Sequence, residues 1–168
     1  MDGTVFWVRF ETVAAQGTDG RPLCRVVLSD ITDRKLVEEA LRESEERFKN
    51  LYQESPIPTF TWQKNGEDFI FIDFNSAAIQ ISNGKVGDRL GDSAVELYKS
   101  SPQILNDMNL CFQERSAVKR EISSRNFAPG RHLSIHYGFI PPDLIIVHAE
   151  DQTDRKRVEE ALQESESV

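Results

Sequence analysis

Along residues 1–29 apolar and polar side chains alternate with a period of two, the mark of half-exposed strands. Val5, Trp7, Arg9 and Glu11 fall on one face and Phe6, Val8 and Phe10 on the other. The turn Gly17-Thr-Asp-Gly20 leads into Leu23–Leu28, which predicts a hairpin. A lone hairpin is marginal in water, so its partners are expected elsewhere, in a domain cut at Met1 or in another part of the chain. The period then changes. Val37, Leu41, Ser44, Phe48 and Leu51 follow one another at steps of 4, 3, 4 and 3, a heptad seam on a helix that starts at Thr32 and stops before Ser55-Pro56. Glu and Arg flank the seam, which suits a parallel two-chain coiled coil; the plainer alternative is an amphipathic helix packed on its own domain.

Beyond that helix, Thr59–Gln63 and Phe69–Phe74 flank Lys64-Asn-Gly-Glu67 and predict a hairpin with Asn-Gly at the centre of its turn. Both faces of the second strand read as apolar, Phe69 and Phe71 against Ile70, Ile72 and Phe74, so it is expected to be covered on both sides, by helices of its own domain and by the Thr32 helix or a second chain. Asn75-Ser76 caps a short helix through Ile81. A stretch punctuated by Gly84, Gly87 and Gly91 leads to a helix over about Gln103–Glu114. Three strands come next, Val118–Ser124, Arg131–Ile140 and Leu144–Glu150, the last two joined at Pro141-Pro142-Asp143. The result is α+β with an antiparallel sheet.

One stretch occurs twice. The sixteen residues from Asp30 match the sixteen from Asp151 at all but three positions, an offset of 121 residues. That spacing is too long for a solenoid unit and suits a small domain plus a connecting helix, so the chain reads as a piece of a tandem array. In each copy Thr32 or Thr153 is placed to cap the helix, and Asp33 or Asp154 adds negative charge at the positive end of its dipole. The second copy repeats the seam as Val158, Leu162 and Ser165.

Composition narrows the classes. The net charge is −8, with a pI near 4.9. Most of the acid excess lies in the two helical segments, the wrong charge for gathering phosphates, so nucleic acid is not an expected partner. Only Cys24 and Cys111 occur, which excludes a disulfide framework, and no apolar run approaches the ~18 residues of a membrane span. The segment is expected to be cytoplasmic and without membrane contact.

Several short motifs resemble those of PAS domains, the sensory modules of prokaryotic signalling proteins. Asp30-Ile-Thr-Asp-Arg-Lys and Asp151-Gln-Thr-Asp-Arg-Lys look like the family's junction between last strand and output helix. Asp2-Gly3-Thr-Val-Phe-Trp7 is similar to its penultimate hairpin, Glu46-Arg-Phe-Lys-Asn-Leu-Tyr-Gln-Glu-Ser-Pro56 to its opening sequence, and Phe74-Asn-Ser-Ala-Ala78 to its strand-to-helix turn. The resemblance implies a five-stranded antiparallel sheet in the order 2-1-5-4-3, with short helices on one face enclosing a small cavity and amphipathic linker helices at either end. Residues 1–30 would be the closing hairpin of a truncated upstream domain, 31–53 a signalling helix, 47–151 a complete domain and 152–168 the start of an exit helix. The complete copy departs from the pattern. Measured from Gly130 against Gly3, its hairpin is six residues shorter, and Ala128-Pro129-Gly130 is followed by no Trp.

Candidate chemistry is sparse. Two Glu-Ala-Leu triplets mimic the name motif of a phosphodiesterase class, but that activity needs a barrel longer than this chain. None of the three His falls in a predicted helix, as a kinase phosphoacceptor would. The resemblance points to haem held by a His, or flavin beside an Asn-Cys pair, on the long helix; this helix has neither, so no standard cofactor is expected. Cys111 reads as a small buried apolar residue. His132 and His136 share a strand face, and the three-residue loop sets His148 opposite His136; no Asp or Glu completes a metal set by spacing, so no metal is expected. Phe60, Trp62, Phe69, Phe71 and Phe74 with Met108 and Phe112 form a core that can also line a cavity for an unidentified small molecule. The residues expected to line it are Trp62, Phe71, Met108 and Phe112, with His136 and His148 as polar anchors. Asp30, Thr32, Asp151 and Thr153 are the expected relay junctions, with Asp151 able to pair with Arg155 or Lys156.

The functional expectation is a non-catalytic sensory and relay module, from a sensor histidine kinase or diguanylate cyclase type of protein. It would form a homodimer through Val37, Leu41, Ser44, Phe48 and Leu51, between an upstream PAS domain and a downstream effector. The alternative is a ligand-free dimerisation spacer.

Overall fold

A computed structural model describes residues 5–125 and 127–166; the Asp2-Gly3 start of the first hairpin motif lies outside them. The chain divides into two compact units, Met1–Asn50 and Leu51–Val168.

In the first unit β1 (Val8–Gln16) and β2 (Pro22–Asp30) form an antiparallel hairpin from Val8↔Asp30 to Gln16↔Pro22. The predicted strand begins later than the alternation does, at Val8. Both strands are exposed along their whole length, so apolar side chains such as Phe10, Val13 and Leu28 stand in water on both faces. The helix α1 (Thr32–Glu54) comes next, ending where Ser55-Pro56 stops it. Its seam residues Val37, Leu41 and Phe48 are exposed, and Arg42 is held by Glu39 at 2.6 Å and Glu46 at 2.5 Å beside them.

The second unit is a five-stranded antiparallel sheet. Its strands are β3 (Thr59–Asn65), β4 (Asp68–Phe74), β5 (Val118–Ser123), β6 (His132–Ile140) and β7 (Leu144–Asp151), in spatial order β4-β3-β7-β6-β5. Numbered within the unit, that is the expected 2-1-5-4-3. The helices α2 (Ser76–Ile81), α3 (Ala94–Leu97) and α4 (Pro102–Glu114), with a 3-10 turn at Lys85–Arg89, connect β4 to β5. The turn and α3 escaped the sequence pattern, being too short to show a period. The exit helix α5 (Thr153–Glu166) leaves from β7.

The core lies between sheet and helices. Phe60, Trp62, Phe71, Ile135, Tyr137 and Val147 from the sheet meet Ala78, Val86, Met108 and Cys111. Each fully buried large side chain of this kind contributes roughly 1.5–3 kcal/mol. Two details of register differ from expectation. The first hairpin pairs Asn65 with Asp68, so Gly66-Glu67 is the turn, with Gly66 at the positive φ of 59° that its lack of a Cβ permits. A bulge between Thr61 and Trp62 then pairs Thr61 with Asp73 and Trp62 with Phe71, which reverses the parity of β4 beyond Ile72. Phe74 therefore stacks on Phe71 at 6.0 Å on the core side, and Ile72 and Asp73 are exposed.

Two polar anchors fix the helices. Asn75 is fully buried and uses both ends of its amide: Oδ1 accepts from the Thr59 and Ala78 amides at 2.9 and 3.0 Å, and Nδ2 donates to the Ser55 and Ile57 carbonyls at 3.2 and 2.9 Å. It caps α2 as expected and also ties the opening loop to the sheet. Buried Asp107 on α4 accepts two bonds from the Arg120 guanidinium on β5, Nη2 to Oδ1 being 2.7 Å.

Candidate functional site

Between α4 and the sheet lies a cavity of about 60 Å³, several times what one water needs but far below the ~300 Å³ at which pockets for drug-sized ligands begin. Of the residues expected to line it, Trp62 and Met108 do so. Phe71 is buried behind them, its ring 4.9 Å from that of Trp62, and Phe112 packs edge-on against Phe69 and Phe139. His136 and His148 are not there either. Ile135, Tyr137, Val147 and Ala149 face the cavity, so the residues between them point to the opposite face of the sheet.

The polar groups that do border it are Tyr98 and Tyr137, with Ser101, Gln103, Ser123, Ser124 and Arg125. Burial, and then the neighbouring Tyr137, push the Tyr98 hydroxyl well above its ordinary range; burial and then the Asp107 carboxylate do the same to Tyr137. Both are therefore neutral hydrogen-bond donors at every physiological pH. Tyr137 was legible in the sequence, since it shares strand parity with Leu133 and Ile135. Cys111 is wholly buried, its thiol pushed up by that burial, and it does not line the cavity.

The strand-to-helix junction occurs twice with one geometry. In the first copy Asp30 Oδ1 accepts from the Thr32 amide at 2.9 Å and its hydroxyl at 2.6 Å, while Thr32 Oγ1 accepts from the Trp7 amide at 2.9 Å. In the second, Asp151 Oδ1 accepts from the Thr153 amide at 2.9 Å and hydroxyl at 2.5 Å, and Thr153 Oγ1 accepts from the His132 amide at 3.0 Å. The expected roles are thereby corrected. Asp, not Thr, takes the first free helix amide, and Thr reaches back across the hairpin to the neighbouring strand. Nor does Asp151 pair with Arg155 or Lys156, which bond Glu159 and Glu121; its partner is Arg131 at 2.6 Å. The clasp also makes Trp7 and His132 equivalent, 23 and 19 residues before their aspartates, so the second hairpin is four residues shorter, not six. His132 occupies the place of the motif's Trp.

No protein-family model matches the sequence, and no curated protein does. Solved structures do. An RNA-binding light-oxygen-voltage receptor superposes with a TM-score of 0.58 at 16% identity, over 73% of this chain and 37% of that one. A domain of a sensory box sensor histidine kinase/response regulator from Geobacter sulfurreducens gives 0.51 at 12% identity, over 66% and 96%. The light-oxygen-voltage protein of Rhodobacter sphaeroides gives 0.51 at 14%, over 72% and 73%. Light-oxygen-voltage and sensory box domains share one architecture, and the 2-1-5-4-3 sheet with its helices on one face is that architecture.

The chain has the PAS fold. Identities this low establish the fold alone, and the chain spans little more than a third of the first of these proteins. Within the PAS frame, cavity and clasp share strands: β6 and β7 supply Tyr137 and Val147 to the cavity and His132 and Asp151 to the clasp. Among the described residues no helix is long and apolar enough to cross a membrane.

Proposed function

We propose that this chain is a non-catalytic sensory and relay module of a multidomain signalling protein, of the sensor histidine kinase or diguanylate cyclase type. The observation that carries the reading is the repeated clasp, Asp30-Thr32-Trp7 and Asp151-Thr153-His132, which welds a sheet to a helix in the same way at two places 121 residues apart. A structure built only to fill space has no need to repeat, bond for bond, the link between a strand pair and the helix that leaves it. A small molecule bound beside Tyr98 and Tyr137, or motion from upstream, shifts β6 against β7; the clasp passes that shift to α5 and on to a downstream effector. The helices act as a parallel homodimer through Val37, Leu41, Ser44, Phe48 and Leu51, in the cytoplasm.

The test is the output of the parent protein carrying Thr153→Ala, measured with and without signal. Altered output from a folded protein supports the relay; identical output under every condition reduces the junction to a connector. The small volume of the cavity favours the second reading, a ligand-free dimerisation spacer. Mass spectrometry of molecules released on denaturation, with a thermal-shift panel of small metabolites, separates the two.

A further inference from the structure

The face of the sheet turned away from the cavity carries two imidazoles in direct register. His136 of β6 and His148 of β7 are cross-strand partners, which sets their Cβ atoms about 5 Å apart on one face. Both are half-buried. Each ring has one nitrogen engaged within the sheet, and among the described residues no hydrogen bond holds the other. His148 Nδ1 lies 2.9 Å from Thr59 Oγ1, and the single hydroxyl proton of Thr59 is donated to the Ile57 carbonyl at 2.9 Å. Thr59 must then accept at its other contact, so His148 Nδ1 carries the proton and Nε2 keeps its lone pair. A hydrogen bond of this kind on the non-ligating nitrogen is how proteins fix the tautomer and direction of metal-binding histidines. His136 is engaged through Nε2, 3.3 Å from Ser134 Oγ, which leaves Nδ1 as its open nitrogen.

We propose that His136 and His148 form an open two-imidazole site for a divalent transition ion of the Zn²⁺, Ni²⁺ or Cu²⁺ class, with water completing the coordination. Imidazole nitrogen suits these ions over Mg²⁺ or Ca²⁺. Among the described residues no three His, Cys, Asp or Glu side chains converge, so the site is exchangeable and not a closed structural one. Its surroundings carry charge of both signs. Lys119 is the partner of His136 on its other side, and Glu121 and Glu150 flank Ser134 in the next row. The location gives the site a consequence. An ion there staples β6 to β7 three residues before Asp151 and four after His132, the two strand positions of the clasp.

The experiment is calorimetric titration of the chelator-stripped chain with Zn²⁺, alongside ring ¹H–¹⁵N spectra of the three histidines. One ion per chain is expected, with Zn²⁺ moving the His136 and His148 ring signals and leaving those of His132. His136→Gln and His148→Gln should each weaken binding about tenfold or more, His132→Gln should not, and Thr59→Val should weaken it through the lost orienting bond. Absence of saturable binding, binding that survives the double His136→Gln/His148→Gln change, or perturbation of His132 alone would overturn the proposal. The ring spectra of the unaltered chain decide even if a variant fails to fold.

Discussion

Single residues do unequal work in this molecule, and the most demanding are polar. Asn75 satisfies two amides and two carbonyls from one buried side chain. Asn75→Ala leaves several of these unpartnered at about 1–3 kcal/mol for each such group, so a loss of more than 3 kcal/mol is expected in chemical denaturation; a loss under 1 kcal/mol would show that water replaces the amide. Asp151 makes a second prediction. Burial alone would raise its pKa, but the Thr153 hydroxyl and amide, with Arg131, outweigh it and hold the carboxyl below its ordinary value. A depressed carboxylate stabilises the folded state above the unfolded pKa of about 3.9, and that contribution is lost as pH falls through the folded value. The Thr153 amide shift should therefore titrate with a midpoint below about 4, and Asp151→Asn should abolish the step. A midpoint above 5 would mean that the clasp does not favour the charged form. The sequence points to Asn75 and Asp151 but not to the bonds of Asn75 with Thr59, Ser55 and Ile57 or to the pairing of Asp151 with Arg131, because those partners come from strands and loops that only tertiary structure brings together. The same limit hid the Asp107–Arg120 pair, whose one sequence signal is an acid amid the buried Ile104, Met108 and Cys111 of α4.

At the scale of elements, period and turn chemistry carried the sequence reading far. The loop Pro141-Pro142-Asp143 set the register of β6 on β7 correctly to the residue, Ile140 opposite Leu144 and His136 opposite His148. The placement of those histidines in the cavity failed for a physical reason already present in the pattern: Leu133, Ile135 and Tyr137 form the apolar row, and neighbours on a strand point to opposite faces. Phe74 belongs to the core as expected, but its expected place on the face of Ile70 and Ile72 failed for a reason no period can show, since a bulge inserts one residue and inverts the facing of every side chain beyond it. The seam on α1 leads to an element-scale prediction. Val37, Leu41, Phe48 and Leu51 are 58–76% exposed in the single chain, an apolar stripe of heptad spacing with Arg42 and its glutamates alongside. Leu41→Asp puts a charge into that seam. Sedimentation should show a dimer for the unaltered chain and a shift towards monomer for the variant; an undisturbed dimer would place the interface elsewhere.

For the whole molecule, the sheet has two faces with different chemistry and one exit. Its core face holds a small cavity with two neutral tyrosine donors, its opposite face the histidine pair, and both rest on β6 and β7, which end in the clasp on α5. Relay through this fold requires that the clasp couple the sheet to the helix. Amide hydrogen exchange of the unaltered chain and of Thr153→Val, which keeps the side-chain shape and removes the hydroxyl, tests this directly. Coupling predicts faster exchange at His132 and in the first turn of α5, with the Phe60, Trp62 and Ile145 amides of the sheet core unchanged. Equal exchange at His132 and Thr153 in the two proteins would contradict it.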